Sequence, residues 1–226
     1  MNMKRKLFVI GKLLISIAIT VFYSCDGEDE GETPEFEWRS NHMIQSYILP
    51  DSLENLSWKF LSEDKESVML GLAIGGDRIY SGENPRVYRE PDSLYYSFVE
   101  MYHDTAWYGT TNYMCPAVAY PVSEISIISD ADYNDTHPAG CELIDIAKVN
   151  TVSYGNFVLN GYTGKESQED IFKPFSEYTQ KERSLWWRGA VGIYLPLPTL
   201  SRIHNFTVTF SFDGWKSVSS TVRVEL

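Results

Sequence analysis

Two pairs of adjacent aromatic residues are the side chains of this sequence best suited to holding a ligand. Trp186 and Trp187 stand side by side, and Trp107 and Tyr108 do the same in the segment YHDTAWYG. Adjacent residues of a β-strand point to opposite faces, so one ring of a pair is expected to leave the core. An exposed ring can stack on a sugar or contact another protein. The alternative is a large β domain that keeps most aromatic rings in its core.

A run of oxygen-bearing side chains resembles the start of a calcium loop. Asp130, Asp132 and Asn134 occupy alternate positions, which suits a hard cation. The EF-hand pattern fails further on, because Asp135 stands where glycine is needed and Cys141 where glutamate is needed. The alternative is a turn in which Asp and Asn cap their own backbone. Calcium is thus the only candidate cofactor, since none of the four histidines pairs in sequence with a second metal ligand.

The three cysteines fall into two groups. Cys25 follows a basic head (Lys4 to Lys6), an apolar run and Ser24, which is the pattern of a secretory signal over residues 1–24. This stretch resembles the lipobox of bacterial lipoproteins, in which the cysteine carries the lipid. Cys115 and Cys141 remain, and in an exported protein they predict either one disulfide or two isolated thiols.

An acidic run follows the lipidation candidate. Residues 25–36 begin CDGEDEGE, and like charges so close together predict a solvated tether. The run resembles the acidic tag of surface lipoproteins in Bacteroides-type bacteria, which implies an outer-membrane protein that faces the cell exterior. The whole chain carries 19 Lys and Arg against 31 Asp and Glu, a net charge of −12. That charge argues against nucleic acid as a partner, because nucleic-acid sites are basic.

Motifs of nucleophilic or phosphate chemistry are missing from the sequence. It contains no Gly-x-Ser-x-Gly, no phosphate-binding glycine loop and no His-Glu-x-x-His. We therefore expect a non-catalytic binding or adhesion module for a glycan or an envelope protein. Two alternatives stay open, namely a structural accessory of an outer-membrane complex and a hydrolase that uses two carboxylates on glycans.

The elements that would position these residues are mostly strands. HNFTVTFSF (204–212) and KSVSSTVRVEL (216–226) alternate apolar and polar residues around Asp213-Gly214, which predicts an antiparallel hairpin. Further β-rich runs lie between turn residues: SVMLGLAI (67–74), RVYRE (86–90), SLYYSFVEMY (93–102), EISIIS (124–129), NFVLNGY (156–162) and AVGIYLPL (190–197). One helix is predicted near residues 168–180, where Ser167 and Asp170 resemble a capping pair. The prediction is an antiparallel, Ig-like β-sandwich over residues 37–226 with one helical excursion.

A family resemblance supports this architecture. VSEISIISDADYNDTHPAGCELIDIAKV (122–149) and the terminal hairpin resemble segments of uncharacterised lipoproteins of Bacteroides-type bacteria. In that group a strand leads into an Asp/Asn-rich loop and then His-Pro-Ala-Gly. The resemblance implies a surface lipoprotein with a β domain of unknown function, and it supplies no catalytic residue.

Overall fold

Strands dominate the part of the chain that the computed structural model describes, which is residues 38–61, 67–82, 92–111, 116–164 and 166–226. The strands are β1 (Trp38–Arg39), β2 (Ser46–Ile48), β3 (Ser52–Leu61), β4 (Ser67–Gly75), β5 (Arg78–Tyr80), β6 (Thr110–Thr111), β7 (Pro116–Val118), β8 (Val122–Ser129), β9 (Lys148–Ser153), β10 (Glu169–Lys173), β11 (Trp186–Pro196), β12 (Ile203–Phe212) and β13 (Val218–Glu225). The helical segments are α1 (Ser93–Tyr102), α2 (Gly155–Leu159) and a single 3-10 turn, Phe175–Glu177. The fold is mostly β, as predicted.

Two sheets pack against each other around the larger core. An eight-stranded sheet runs in the order β10-β9-β11-β7-β2-β5, with β4 on β11 and β3 on β4. A three-stranded sheet has the order β13-β12-β8. Alternate side chains of both sheets meet in what we call the first cluster, which includes Ile193, Val149, Phe206 and Phe210. Each strand turns every second side chain toward this cluster. The alternation of apolar and polar residues in the sequence therefore corresponds to two sheets packed as a β-sandwich.

The predicted terminal hairpin is confirmed, including its faces. β12 and β13 pair antiparallel from Ile203↔Glu225 to Phe210↔Val218. All four apolar residues predicted to face inward on β12 are buried, and they are Phe206, Val208, Phe210 and Phe212. Gly214 supplies the positive φ of 71° that the turn requires, whereas Asp213 does not. The turn therefore resembles a loop with one left-handed glycine rather than a turn with two left-handed residues.

The predicted strand SLYYSFVEMY is wrong, because these residues form α1. The Asp92 side chain accepts a hydrogen bond from the Leu94 amide at 2.9 Å and caps the first turn. Four residues at helical spacing form the buried face, and they are Tyr95, Phe98, Val99 and Tyr102. The helix ends at His103, whose φ of 56° is left-handed. Aromatic composition suggested a strand, but the spacing and the cap determine the structure.

The helix predicted near residues 168–180 is also wrong. Strand β10 pairs with β9, and Pro174 then has an extended ψ of 138° before the 3-10 turn. Proline cannot donate the hydrogen bond that a continuing helix needs. The capping box lies further on, where Thr179 and Glu182 exchange side-chain and backbone hydrogen bonds of 2.6 and 3.2 Å. It closes the turn that leads into β11.

A third correction concerns NFVLNGY, which the sequence predicts as a strand. Residues 155–159 form α2 instead; Ser153 Oγ accepts the Gly155 amide at 2.9 Å in a serine turn just before the helix, while the N-cap residue Tyr154 makes no side-chain cap. Gly161, with a φ of 67°, follows the helix as a left-handed residue.

The predicted strand RVYRE lies outside the described residues. Among the described helices, none has the length and apolar composition needed to span a membrane.

A separate group of apolar residues, here called the second cluster, packs α1 and α2 against β2, β5 and β7. Its members are Met43, Ile44, Tyr47, Ile79, Tyr95, Phe98, Val99, Tyr102, Ala117, Ala119, Tyr154, Val158 and Leu185. β2 and β7 pair in parallel, with Tyr47 opposite Ala117. Tyr47 contacts the rings of Tyr95 and Phe98 at centroid distances of 5.4 and 5.1 Å. Side-chain rings from α1 thus cover the short strands.

Candidate ligand-binding site

Trp186 and Trp187 point to opposite sides of β11, as alternation along a strand predicts. Trp186 is fully buried in the first cluster, where its Nε1 donates to the Glu182 carbonyl at 2.7 Å. Trp187 is half-buried against the second cluster, and the Arg188 guanidinium lies 4.8 Å from its ring centre. The predicted ligand role of Trp186 is therefore wrong, because a fully buried ring offers no face to a ligand. Trp187 remains a candidate.

The backbone around this pair departs from a regular strand. Leu185 and Arg188 have left-handed φ values of 54° and 52°, and the pairing with β9 is interrupted between Trp186 and Val191. Gly189 is left-handed at 68°, and a Cβ there would lie 2.5 Å from the Ile74 carbonyl oxygen. Glycine is thus required at this position. Left-handed non-glycine residues are strained, and such strain is concentrated at functional sites.

The second aromatic pair lies in the loop after α1, and Tyr108 is 87% exposed. Trp107 is half-buried, with its ring centre 5.8 Å from Phe157 and 5.3 Å from Tyr162. We call Trp107, Tyr108, Phe157 and Tyr162 the aromatic rim. A Cβ on Gly109 would lie 2.1 Å from the Trp107 ring, so glycine allows the indole to fold back over the chain. The divergence predicted for this pair is thus produced by a loop, not a strand.

Asp104 fixes the loop that carries the rim. Its carboxylate is fully buried and accepts hydrogen bonds from the Met43 amide at 2.8 Å and the Ile44 amide at 2.9 Å. The Tyr162 hydroxyl donates to the same carboxylate at 2.7 Å. Burial raises the pKa of Asp104, and these three hydrogen bonds oppose the rise. The Asp104 side chain therefore joins its loop to the Met43 and Ile44 backbone and to Tyr162.

The backbone of this loop is held as well. The Trp107 amide donates to the Asn41 carbonyl at 3.1 Å, and the Asp104 amide donates to the Val99 carbonyl at 2.9 Å. His42 Nδ1 lies 2.6 Å from the Asp104 carbonyl oxygen. A rim fixed at both ends of its loop is pre-organised, so a ligand would bind without having to order it.

Unpaired polar atoms distinguish this region of the molecule. Among the described residues, three buried side-chain atoms lack a hydrogen-bond partner: the Tyr47 hydroxyl, Trp107 Nε1 and Trp187 Nε1. All three belong to the second cluster or pack against it. A buried polar atom without a partner costs about 1–3 kcal/mol, so its retention calls for an explanation. The two indole donors and the hydroxyl are themselves buried, so they mark incomplete pairing inside this region and are not surface contacts for a ligand.

The calcium candidates all accept hydrogen bonds from the protein itself. Asp130 accepts hydrogen bonds from the Asn205 amide and side chain, which lower the pKa of Asp130. Asp132 Oδ1 accepts the Ala139 amide at 2.8 Å. Asn134 Oδ1 accepts the amides of Thr136 and His137 at 3.0 and 2.9 Å. In the described residues no group of three or more His, Cys, Asp or Glu side chains could hold a metal. The alternative of backbone capping therefore describes Asp132 and Asn134, whereas Asp130 joins the loop to β12.

The cysteine predictions stay open. Cys141 is half-buried, and its thiol forms no disulfide with another cysteine among the described residues. Cys115 lies outside the described residues, as do Cys25, the signal segment and the acidic tether. The disulfide between Cys115 and Cys141 and the lipid on Cys25 remain predictions from the sequence.

Comparison with known proteins gives no match: no family model, curated protein or solved structure corresponds to this chain. The fold and the site therefore define only a class, a mostly β protein with a strained, pre-organised aromatic surface. The sequence singled out Trp107, Tyr108 and Trp187 as candidates, but not Asp104, Phe157 or Tyr162. The one sequence signal for Asp104 was its position in the short segment between α1 and the Trp107-Tyr108 pair.

Proposed function

We propose that the protein is a lipid-anchored outer-surface binding module whose ligand contacts the aromatic rim and Trp187. The observation that carries the proposal is the loop of Trp107 and Tyr108, which presents an 87% exposed ring while buried Asp104 holds the loop in place. Rigid aromatic side chains give large contact area at low entropic cost, which is why binding surfaces are rich in them. The ligand is a glycan or an envelope protein.

The exposed Tyr108 ring favours a ligand with both apolar and polar groups, because it combines an apolar face with a hydroxyl at its edge. Trp107 Nε1 and Trp187 Nε1 are buried and do not face such a ligand. A glycan supplies a C–H face for the ring and oxygen atoms for the hydroxyl. This complementarity supports the glycan over a purely apolar protein surface.

The binding test uses single substitutions in the rim. We expect Trp107→Ala and Tyr108→Ala to lose binding to the glycans that the parent recognises on an array. The matched control is Trp215→Ala, which removes a half-exposed indole that donates to the Pro50 carbonyl elsewhere on the domain. Thermal melts of all variants separate lost binding from lost folding. Retained glycan binding by both rim variants would refute the assignment of the site.

The anchoring part of the proposal is tested separately. Cys25→Ala should release the protein from the membrane fraction, because the short apolar run before it is too short to anchor the chain alone. Alanine in place of the five acids of residues 26–32 should keep the lipid but protect the protein from protease added to whole cells. Unchanged pelleting of a processed Cys25 variant would remove the lipoprotein assignment.

One further observation favours the second candidate, a structural accessory of an outer-membrane complex. The segment between β11 and β12 exposes Leu197 and Leu200 by 39% and 55%, and Ile203, the first residue of β12, is 45% exposed. Exposed apolar side chains that form one contiguous patch are typical of protein contacts. Co-purification of an envelope protein that is lost on Leu200→Ser, with the rim variants unaffected, would favour this function over ligand binding.

A further inference from the structure

A separate surface, on the side of the large sheet that faces away from the first cluster, also combines rings with polar groups. It consists of Lys148, Asn150, Asp170, Phe172, Gly192 and Tyr194, and we call it the outer face. Alternate residues of the same strands, Val149, Ile171 and Ile193, are buried in the first cluster. Since side chains alternate along a strand, the outer-face residues all lie on the opposite side.

Cross-strand pairing brings these residues together. Asn150 on the central strand β9 is opposite Phe172 on β10 and opposite Gly192 on β11. Tyr194 is opposite Lys148 in the next row. The face is thus continuous across three strands, with an edge strand, β10, on one side.

Glycine in the middle of the face lets the tyrosine lie flat. Tyr194 Cε2 is 3.1 Å from the place where a Cβ of Gly192 would stand, so the ring covers the glycine instead of rising from the sheet. Phe172 meets this ring at 5.0 Å with an interplanar angle of 75°. The Tyr194 ring therefore lies along the sheet, and the Phe172 ring, which is 47% exposed, stands at a steep angle to it. We call the Tyr194 ring the floor, the Phe172 ring the wall, and the two together the aromatic corner.

Polar groups border the two rings. Asn150 Nδ2 donates to Asp170 Oδ1 at 2.8 Å, which fixes the carboxylate beside the floor. The Lys148 ammonium lies 5.6 Å from the Phe172 ring centre and has no hydrogen-bond or ion-pair partner among the described residues. An acceptor and a donor thus flank the aromatic corner.

We infer that the outer face is a carbohydrate-binding surface that holds a neutral hexopyranose unit of a glycan on the Tyr194 ring. The C–H face of such a sugar packs on an aromatic ring, while its hydroxyl groups at the rim bind carboxylate, amide and ammonium groups. Asp170 and Lys148 offer one charge of each sign, which suits uncharged hydroxyl groups. The chain's net charge of −12 disfavours an anionic glycan. This surface is independent of the aromatic rim.

The test is retardation of the full-length protein in native gels that contain neutral polysaccharides, namely glucan, mannan, galactan and xylan. We expect Tyr194→Ala and Phe172→Ala to weaken binding about tenfold or more, because each removes one ring of the corner. Tyr194→Phe keeps the floor and should bind like the parent. Gly192→Ala keeps both rings but displaces Tyr194, so it should also weaken retardation.

A Tyr108→Ala background separates this surface from the aromatic rim. In that background Tyr194→Ala should still weaken retardation about tenfold, with the melting temperature unchanged within a few degrees. Equal retardation of Tyr108→Ala with and without Tyr194→Ala would overturn the inference while leaving the proposed function standing. Absence of retardation of the parent by all four polysaccharides would also overturn it.

Discussion

The two hydrophobic clusters of the protein differ in how completely their polar atoms are paired. In the first cluster Trp186 Nε1 donates to Glu182 at 2.7 Å and the Tyr178 hydroxyl donates to Val149 at 2.8 Å. Buried His204 lies between Ser129 Oγ and the Ser201 carbonyl. In the second cluster and its border, three buried polar atoms have no partner in the described residues. Pairing of this kind is general in cores, so the second cluster is the exception.

Backbone strain follows the same division. Among the described residues, the non-glycine positions with left-handed φ are His103, Tyr162, Leu185 and Arg188. Leu185 belongs to the second cluster, and Tyr162 packs against it. Arg188 lies over Trp187, and His103 ends the helix that supplies the cluster's aromatic face. The polar atoms named above in the first cluster are paired, whereas the second cluster and its border contain unpaired buried polar atoms and left-handed residues, both of which lower stability. A binding role would explain why they are kept.

The largest effect expected is in the first cluster. Phe210→Ala should lower the free energy of unfolding by about 3–5 kcal/mol, since the ring is fully buried against Trp186 and leaves a cavity. Thr209→Ala, the neighbouring residue on the other face, removes one exposed hydroxyl contact with Ser219 and should cost less than about 1 kcal/mol. Urea titration measures both. Equal costs would mean that the faces of β12 are assigned wrongly.

Two tyrosine hydroxyls test the comparison between clusters directly. Tyr178→Phe should cost about 1–2 kcal/mol, because the Val149 carbonyl loses its buried donor. Tyr47→Phe removes a buried hydroxyl without a partner, so it should be neutral or stabilise by up to about 1 kcal/mol. Both substitutions delete one oxygen from a buried ring, and thermal or urea unfolding compares them. A loss of stability in Tyr47→Phe as large as in Tyr178→Phe would abolish the distinction.

Sequence alone predicted those parts whose information is local. The terminal hairpin followed from its alternation and its Asp213-Gly214 turn, and the opposite directions of Trp186 and Trp187 followed from the same period. Helix α1 was missed because its tyrosines and Phe98 favour strands by composition, although the spacing of its buried residues is helical. The helix near residues 168–180 failed at Pro174.

The candidate site was predictable only in its exposed residues. Trp107 and Tyr108 are conspicuous as an adjacent pair, whereas the role of Asp104 depends on partners 58 to 61 residues away. Only folding brings Met43, Ile44 and Tyr162 to that carboxylate. The unpaired atoms are equally invisible in a sequence, because pairing is a property of the packed core.

The smallest effect expected is a dependence of stability on pH at the border of the second cluster. Burial raises the pKa of Asp104 above its ordinary value of 3.8, so the folded protein binds its proton more tightly than the unfolded chain. The stability contributed in this way is fully present below the unfolded pKa and is lost as pH rises through the folded pKa. Asn at this position does not titrate. The unfolding free energy of the parent minus that of Asp104→Asn should therefore be largest at acidic pH and decline as pH rises.

Asp130 provides the control with the opposite sign. Hydrogen bonds from Asn205 lower the pKa of Asp130, so its contribution is present above the unfolded pKa and is lost as pH falls through the folded pKa. Urea unfolding of the parent, Asp104→Asn and Asp130→Asn across the acidic range gives both differences. Opposite slopes are expected. A parent-minus-Asp104→Asn difference that rises with pH would mean that the Met43, Ile44 and Tyr162 hydrogen bonds outweigh burial, in which case Asp104 is paired as completely as the polar groups of the first cluster.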